Sequence, residues 1–222
     1  MTGKKVKELI KKLEVYYLAN KSENLYFCLL GDCTSSSKKE EEKDEEIKQV
    51  GVYEIEKLNK KYPKAGVPRF SFLYRKRTWN EKEQMYLGWE RKRGLLTEFN
   101  EYLLNRKEQK KSNITRDDFL INTLDDFNLK KEPIDIKYII TLDSDTDLSL
   151  NSGIELIETM AHPLNTPEID KEKNVVIKGH GLIQPRVGMD LETSFVSYFT
   201  QIFAGDRRGR FIHKCNIRHL PR

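Results

Sequence analysis

Five consecutive residues, Asp143-Ser144-Asp145-Thr146-Asp147, carry the densest chemistry in the sequence. They follow residues 136–142 (IKYIITL), an apolar run that reads as a buried strand. Alternate carboxylates leaving a strand end can converge on one hard cation such as Mg²⁺ or Mn²⁺. A cation held there would neutralise charge developing on a diphosphate leaving group. Asp143 and Asp145 are the candidate ligands. The same residue types also have a purely structural use, because acidic side chains favour turns and helix N-termini. Asp147 is placed to cap a helix starting near 149. The strand-end position favours the metal.

Two other chemistries use a similar pentapeptide. A phosphatase of the haloacid dehalogenase type places a nucleophilic Asp first and Thr or Val fifth, whereas the fifth residue here is Asp147. A calcium-binding EF-hand loop wants Gly where Leu148 stands and Glu where Ile154 stands. The calcium reading fails at both positions, and the phosphatase stays as a minor alternative.

Upstream, Arg91-Lys92-Arg93-Gly94 opens a helical pattern. Basic side chains and a glycine at a helix start can cradle a diphosphate, and guanidinium forks suit phosphate oxygens. The bland alternative is a solvated basic turn. Downstream, His180, Gln184 and Arg186 follow a further strand-like run and could face the same crevice. A lone His beside Gly is more often structural, so spacing alone names no catalytic residue.

These residues need elements to position them. Apolar spacing predicts helices over residues 4–18, up to about 62, 94–104, 149–160 and 191–203. Strands are predicted over 25–30, 69–74, 136–142 and 175–183. Residues 35–46 are a charge run read as a solvated loop and helix start. Residues 105–131 read as an irregular surface excursion. Alternating strands and helices imply an α/β fold with a mostly parallel sheet and helices on both faces. Sites in such sheets lie at the carboxyl ends of the strands.

Composition adds bounds. The 222 residues suffice for one domain with a core, and the net charge of +5, from 40 basic and 35 acidic residues, does not suggest nucleic acid. Cys28, Cys33 and Cys215 have no zinc or redox spacing and read as free thiols of a reducing compartment. No stretch approaches the roughly 18 apolar residues of a membrane span. The chain as given is expected to be cytoplasmic.

Taken in order, LEVYYLAN, LLGD, MYLGWERKRG…EFN, YIITLDSDT, MAHPLN and HGLIQPRVG resemble the glycosyltransferase domain of cyclic β-1,2-glucan synthases, over residues 4 to 205. The resemblance implies a Rossmann-like GT-A fold. It also implies inverting transfer of glucose from UDP-glucose onto a β-1,2-glucan acceptor, assisted by a divalent metal, in a parent at the cytoplasmic face of the membrane. Asp143 and Asp145 match the family's metal-binding acidic pair. Asp32 sits where related enzymes set an Asp against the uridine, and Arg91, Lys92 and Arg93 fall near the diphosphate.

The departures set further expectations. The strand that opens the family domain and the acceptor half with its general base are expected to be missing, leaving the nucleotide-and-metal half, inactive alone. A stand-alone nucleotide- or metal-binding module is the alternative. Residues 206–222 turn basic and lose all periodicity. A one-base slip near codon 205 would restore a family-like continuation, so these residues are expected to be an out-of-frame or disordered basic tail.

Overall fold

The computed structural model describes residues 2–108, 114, 116–128, 135–170, 172, 173 and 175–185. The chain divides into two compact units, residues 1–153 and 154–222.

The first unit opens with helix α1 (Gly3–Ala19), capped by the Thr2 hydroxyl accepting from the Lys5 amide. Val6, Leu9, Ile10, Leu13 and Tyr16 form its buried stripe. Strand β1 (Phe27–Asp32) follows, then helix α2 (Glu42–Lys61). Glu41 and Asp44 form a capping box at the start of α2, with Glu42 and Glu45 in the first turn and Lys60 and Lys61 in the last. That arrangement suits both the free amides and the helix dipole. The charge run is therefore a loop and helix start, as its composition implied. Asp44 is nevertheless buried, paired with the buried Arg77 at 2.8 Å.

Strand β2 (Phe70–Arg75) is buried at every residue and is the middle strand of the main sheet. It runs parallel to β1, with Phe27 opposite Phe70 and Asp32 opposite Arg75. On its other side it pairs antiparallel with β5 (Phe119–Asn122). Between them lie the short ribbon β3 (Thr78–Asn80) and β4 (Met85–Leu87), then helix α3 (Arg91–Glu108). A single turn, α4 (Thr123–Asp126), follows β5.

Period-two alternation sends the two faces of β2 to different cores. Phe70, Phe72 and Tyr74 pack with the buried stripes of α1 and α2, while Leu73 packs with Phe99, Tyr102 and Leu103 of α3. Helices thus cover both faces, as expected.

Three expectations are corrected. The sheet is mixed α/β but not mostly parallel: among the described residues, β1 and β2 make the one parallel pair. Residues 136–142 form no strand. Tyr138, Ile139 and Leu142 stay exposed, since an apolar run becomes a strand only when a neighbour satisfies its backbone. The supposed surface excursion 105–131 contains the buried strand β5, whose Phe119, Ile121 and Asn122 are shielded from solvent.

Helix α5 (Ser152–Ala161) spans the division between the units and starts three residues later than expected. The second unit continues with a ribbon of β6 (Glu168–Asp170) and β7 (Val175–Lys178). The run at 175–183 is thus a strand only at its start, and it pairs antiparallel with β6. The expected helix 191–203 and the tail 206–222 lie outside the described residues. No described helix is long and apolar enough to cross a membrane.

Candidate functional site

The carboxyl ends of β1 and β2 meet at one buried cation. Arg75 closes β2 with its side chain 3% exposed. Its Nε donates to Asp32 Oδ1 at 2.6 Å and its Nη2 to Oδ2 at 3.0 Å, the forked geometry a guanidinium favours. Nη1 lies 3.0 Å from Glu98 Oε1 on α3. Nη2 also donates to the carbonyl oxygens of Trp89 and Arg91, at 3.1 and 2.9 Å. One side chain therefore ties two strand ends to a helix and to the turn before that helix.

That turn is unusual. Glu90 and Arg91 both have φ near +47°, a left-handed conformation costly for side chains with a Cβ. Gly88 and Gly94 flank it because nothing larger fits. A Cβ on Gly88 would lie 2.5 Å from Arg75 Nη2, and one on Gly94 would lie 1.9 Å from the Trp89 carbonyl oxygen. The strained backbone is fixed by Arg75 on one side and by these close approaches on the other.

Lys92 leaves this turn and pairs with Asp143, both side chains being largely exposed. The structure thus brings together three of the sequence-predicted groups: Asp32, the basic turn and Asp143. Arg93 pairs with its neighbour Glu90 instead, and the Arg91 side chain is exposed. Asp145 is exposed too, and among the described residues its carboxylate has no hydrogen-bond or ion-pair partner.

The third acid has another occupation. Asp147 does not cap α5; its Oδ1 accepts from Lys12 at 2.7 Å and from the Tyr16 hydroxyl at 3.3 Å. Lys12 also donates to the carbonyls of Ser144 and Thr146, and Tyr16 donates to Thr146 at 2.7 Å. Farther along α1, the Asn20 amide donates to Ser149, and its Oδ1 accepts from the Gly153 amide at 2.8 Å. Lys12 and Tyr16 stand four residues apart on one stripe of α1, and Asn20, the residue capping its end, follows at the same spacing. This stripe, like Arg75 and Glu98, was not singled out from the sequence; its signal was polar residues recurring at helical spacing.

Charge interactions follow the geometry. The hydrogen bond from Lys12 holds the Asp147 carboxyl below its ordinary value. Burial alone would lower the Lys12 ammonium, but its bonds to Asp147 and Tyr16 outweigh this and raise it. A depressed carboxylate stabilises the fold above its unfolded pKa and loses that contribution as pH falls through the folded one. The contact should therefore persist through neutral pH and fail in acid. An NMR titration of the Asp147 carboxyl carbon should give a midpoint below an ordinary aspartate's, returning toward it in Lys12→Met. An unchanged midpoint in the variant would refute the coupling. Burial raises Glu98 despite the Arg75 charge beside it.

The two described cysteines are free, as expected, and burial pushes Cys28 up to about 12 and Cys33 up to about 11. Neither is a nucleophile at neutral pH. Cys215 lies outside the described residues.

His180 and Gln184 belong to the second unit. The His180 amide donates to the Asn165 carbonyl at 3.0 Å, and Gln184 is exposed. Arg186 lies outside the described residues.

No family model matches the sequence. Over 203 residues, 91% of the chain, it is 36% identical to the cyclic β-(1,2)-glucan synthase NdvB of Rhizobium meliloti strain 1021. The chain is related to one region of this glucan synthase. It spans only 7% of the synthase's length. Asp32, the basic turn and the Asp143 pentapeptide all fall within residues 4–205, the stretch over which the resemblance was drawn.

Proposed function

We propose that this chain carries the donor-nucleotide site of a GT-A glycosyltransferase region, handling UDP-glucose for β-1,2-glucan synthesis. The observation carrying the reading is the basic turn 91–93, whose backbone is held by Arg75, the partner of Asp32, while its Lys92 reaches Asp143.

The parts suit a nucleotide diphosphate. Asp32 gives both oxygens to Arg75, yet an ionised carboxylate offers about four acceptor positions, so it can also take the imide N–H of a uracil. Lys92 and the exposed Arg91 supply cationic donors for phosphate oxygens.

Among the described residues no three His, Cys, Asp or Glu side chains cluster as a metal site. Mg²⁺ does not need such a cage, because it commonly takes one or two carboxylates and completes its shell with phosphate oxygens and water. Asp145, free of partners, and Asp143, released when Lys92 turns to a phosphate, fit that demand. A cation held there would supply positive charge to offset the negative charge on the departing diphosphate. The chain's own residues orient the nucleotide: Asp32 at the base, the turn at the phosphates.

Calorimetry tests this. UDP should bind with Mg²⁺ or Mn²⁺ present and not in EDTA. Asp143→Asn with Asp145→Asn should abolish the metal dependence, since an amide is a poor ligand for a hard cation. Identical binding by wild type and double variant would sink the reading. Phosphate release from p-nitrophenyl phosphate would replace it with the phosphatase.

A further inference from the structure

We propose that the cleft between the β3–β4 ribbon and Trp89 is a holding site for the glucan chain, on which β-linked glucose units stack against Trp79 and Trp89. The inference rests on the glucan-synthase reading but uses none of its nucleotide residues. The cleft is shallow and open to solvent, with about 400 Å³ of space. Trp79 and Trp89 line it together with Thr78, Asn80, Glu81, Lys82 and the buried Leu87.

Both indoles are about half exposed, Trp79 at 47% and Trp89 at 52%. Tryptophans are highly buried on average, so two beside one cleft call for an occupant. Neither is loose. Trp79 stands opposite Tyr86 in the ribbon, the two rings in a T-shaped contact with centroids 5.0 Å apart, and its indole remains 47% exposed. Tyr86 is fixed by paired backbone hydrogen bonds with Ser36, at 2.9 and 2.8 Å. Trp89 leads into the turn clamped by Arg75. The Trp79 ring is thus braced by Tyr86 and the Trp89 backbone by Arg75, which lowers the ordering cost of binding.

The chemistry selects a neutral sugar. A β-glucose ring carries its hydroxyls equatorially and its C–H bonds axially, so each face is apolar and its rim is polar. Flat indoles match the faces. Asn80 uses only its Oδ1 in the local turn, accepting from the Lys82 and Glu83 amides, so its amide donor remains for a hydroxyl. Glu81 and Lys82 add an acceptor and a donor of opposite charge. A polyanion would want a net positive lining, which this cleft lacks.

The chain contains only two tryptophans, and both line the cleft, so its intrinsic tryptophan emission reports this site alone. The full chain should be titrated with a β-1,2-linked gluco-oligosaccharide, in EDTA and without nucleotide. A saturable change in emission is expected, with reduced quenching by acrylamide. Trp79→Ala should weaken the affinity at least tenfold, and Trp79→Tyr, which retains a flat ring, should hold it within about threefold. A flat titration of the wild type, or an unchanged affinity in a Trp79→Ala variant whose circular dichroism matches wild type, would overturn the proposal. Saturation here without metal-dependent UDP binding would sustain the cleft and fell the nucleotide reading. UDP binding with a flat titration would do the reverse.

Discussion

Arg75→Ala is expected to cost about 3–5 kcal/mol of folding stability, the range found when one partner of a buried charge cluster is removed. The magnitude follows from what the truncation leaves behind. The Asp32 and Glu98 side chains are 24% and 17% exposed, so each would keep a largely desolvated carboxylate without its cation. The carbonyls of Trp89 and Arg91 would lose their donor at the same time, in a turn with two left-handed residues. Arg75→Lys should recover only a minor part, because an ammonium cannot fork across Asp32 and also reach the turn. Adding Asp32→Asn and Glu98→Gln to Arg75→Ala should return much of the loss by removing the orphaned charges. Urea unfolding of the four proteins measures all of this. A loss below about 1 kcal/mol for Arg75→Ala would mean that water reaches the cluster and the tie is weak.

How much of this was legible in the sequence differs element by element. Helix α1 was visible because a long run of one period leaves little choice: the stripe from Val6 to Tyr16 cannot be a strand. Strands β1 and β2 were visible as short apolar runs, and β2 is indeed buried at every residue. Strand β5 was not, since Phe119–Asn122 is too short to establish a period and sits between Asp118 and a helical turn. The error at 136–142 ran the other way. Its composition satisfies every strand rule, but strands are made by neighbours, and a sequence does not display which edge will be paired.

The site divides similarly. Lys92 and Asp143 were found by residue type and by their position at a helix start or after a strand-like run, whereas Asp32 came only from the family resemblance. Arg75 escaped because it looked like one of several basic residues in Arg75-Lys76-Arg77, and burial alone separates it from Lys76. The parallel register that sets Asp32 beside Arg75 is a tertiary fact. Asp147 was read as a cap on local grounds, whereas a lysine and a tyrosine more than a hundred residues earlier claim it.

Those distant contacts point to the other large effect, at Asn20. This side chain is fully buried, and both ends of its amide are used. Its Nδ2 reaches the carbonyls of Tyr16 and Ser149, each at 3.2 Å, and its Oδ1 receives the Gly153 amide at 2.8 Å. Beside it the Asn151 amide donates to Ala19 at 2.9 Å. In Asn20→Ala the Ser149 carbonyl keeps the Ser152 hydroxyl as a donor, at 2.8 Å, and the Tyr16 carbonyl stays within α1. The Gly153 amide is left without its acceptor. An orphaned buried donor costs about 1–3 kcal/mol, and that sets the expected loss. The effect should be local, because Asn20 joins the end of α1 to residues 149–153 and carries no part of the β1–β2 ladder. Hydrogen exchange should therefore quicken at the amides of Thr146, Asn151 and Gly153, while those of Phe72 and Tyr74 keep their protection relative to global unfolding. Loosening would spread to Asp143 and Asp145, which have only Lys12 and Tyr16 to hold the same segment against α1. Equal acceleration in β2 would mean that Asn20 supports the core as a whole, and no acceleration at 146–153 would mean that Lys12 and Tyr16 suffice to anchor the acidic turn.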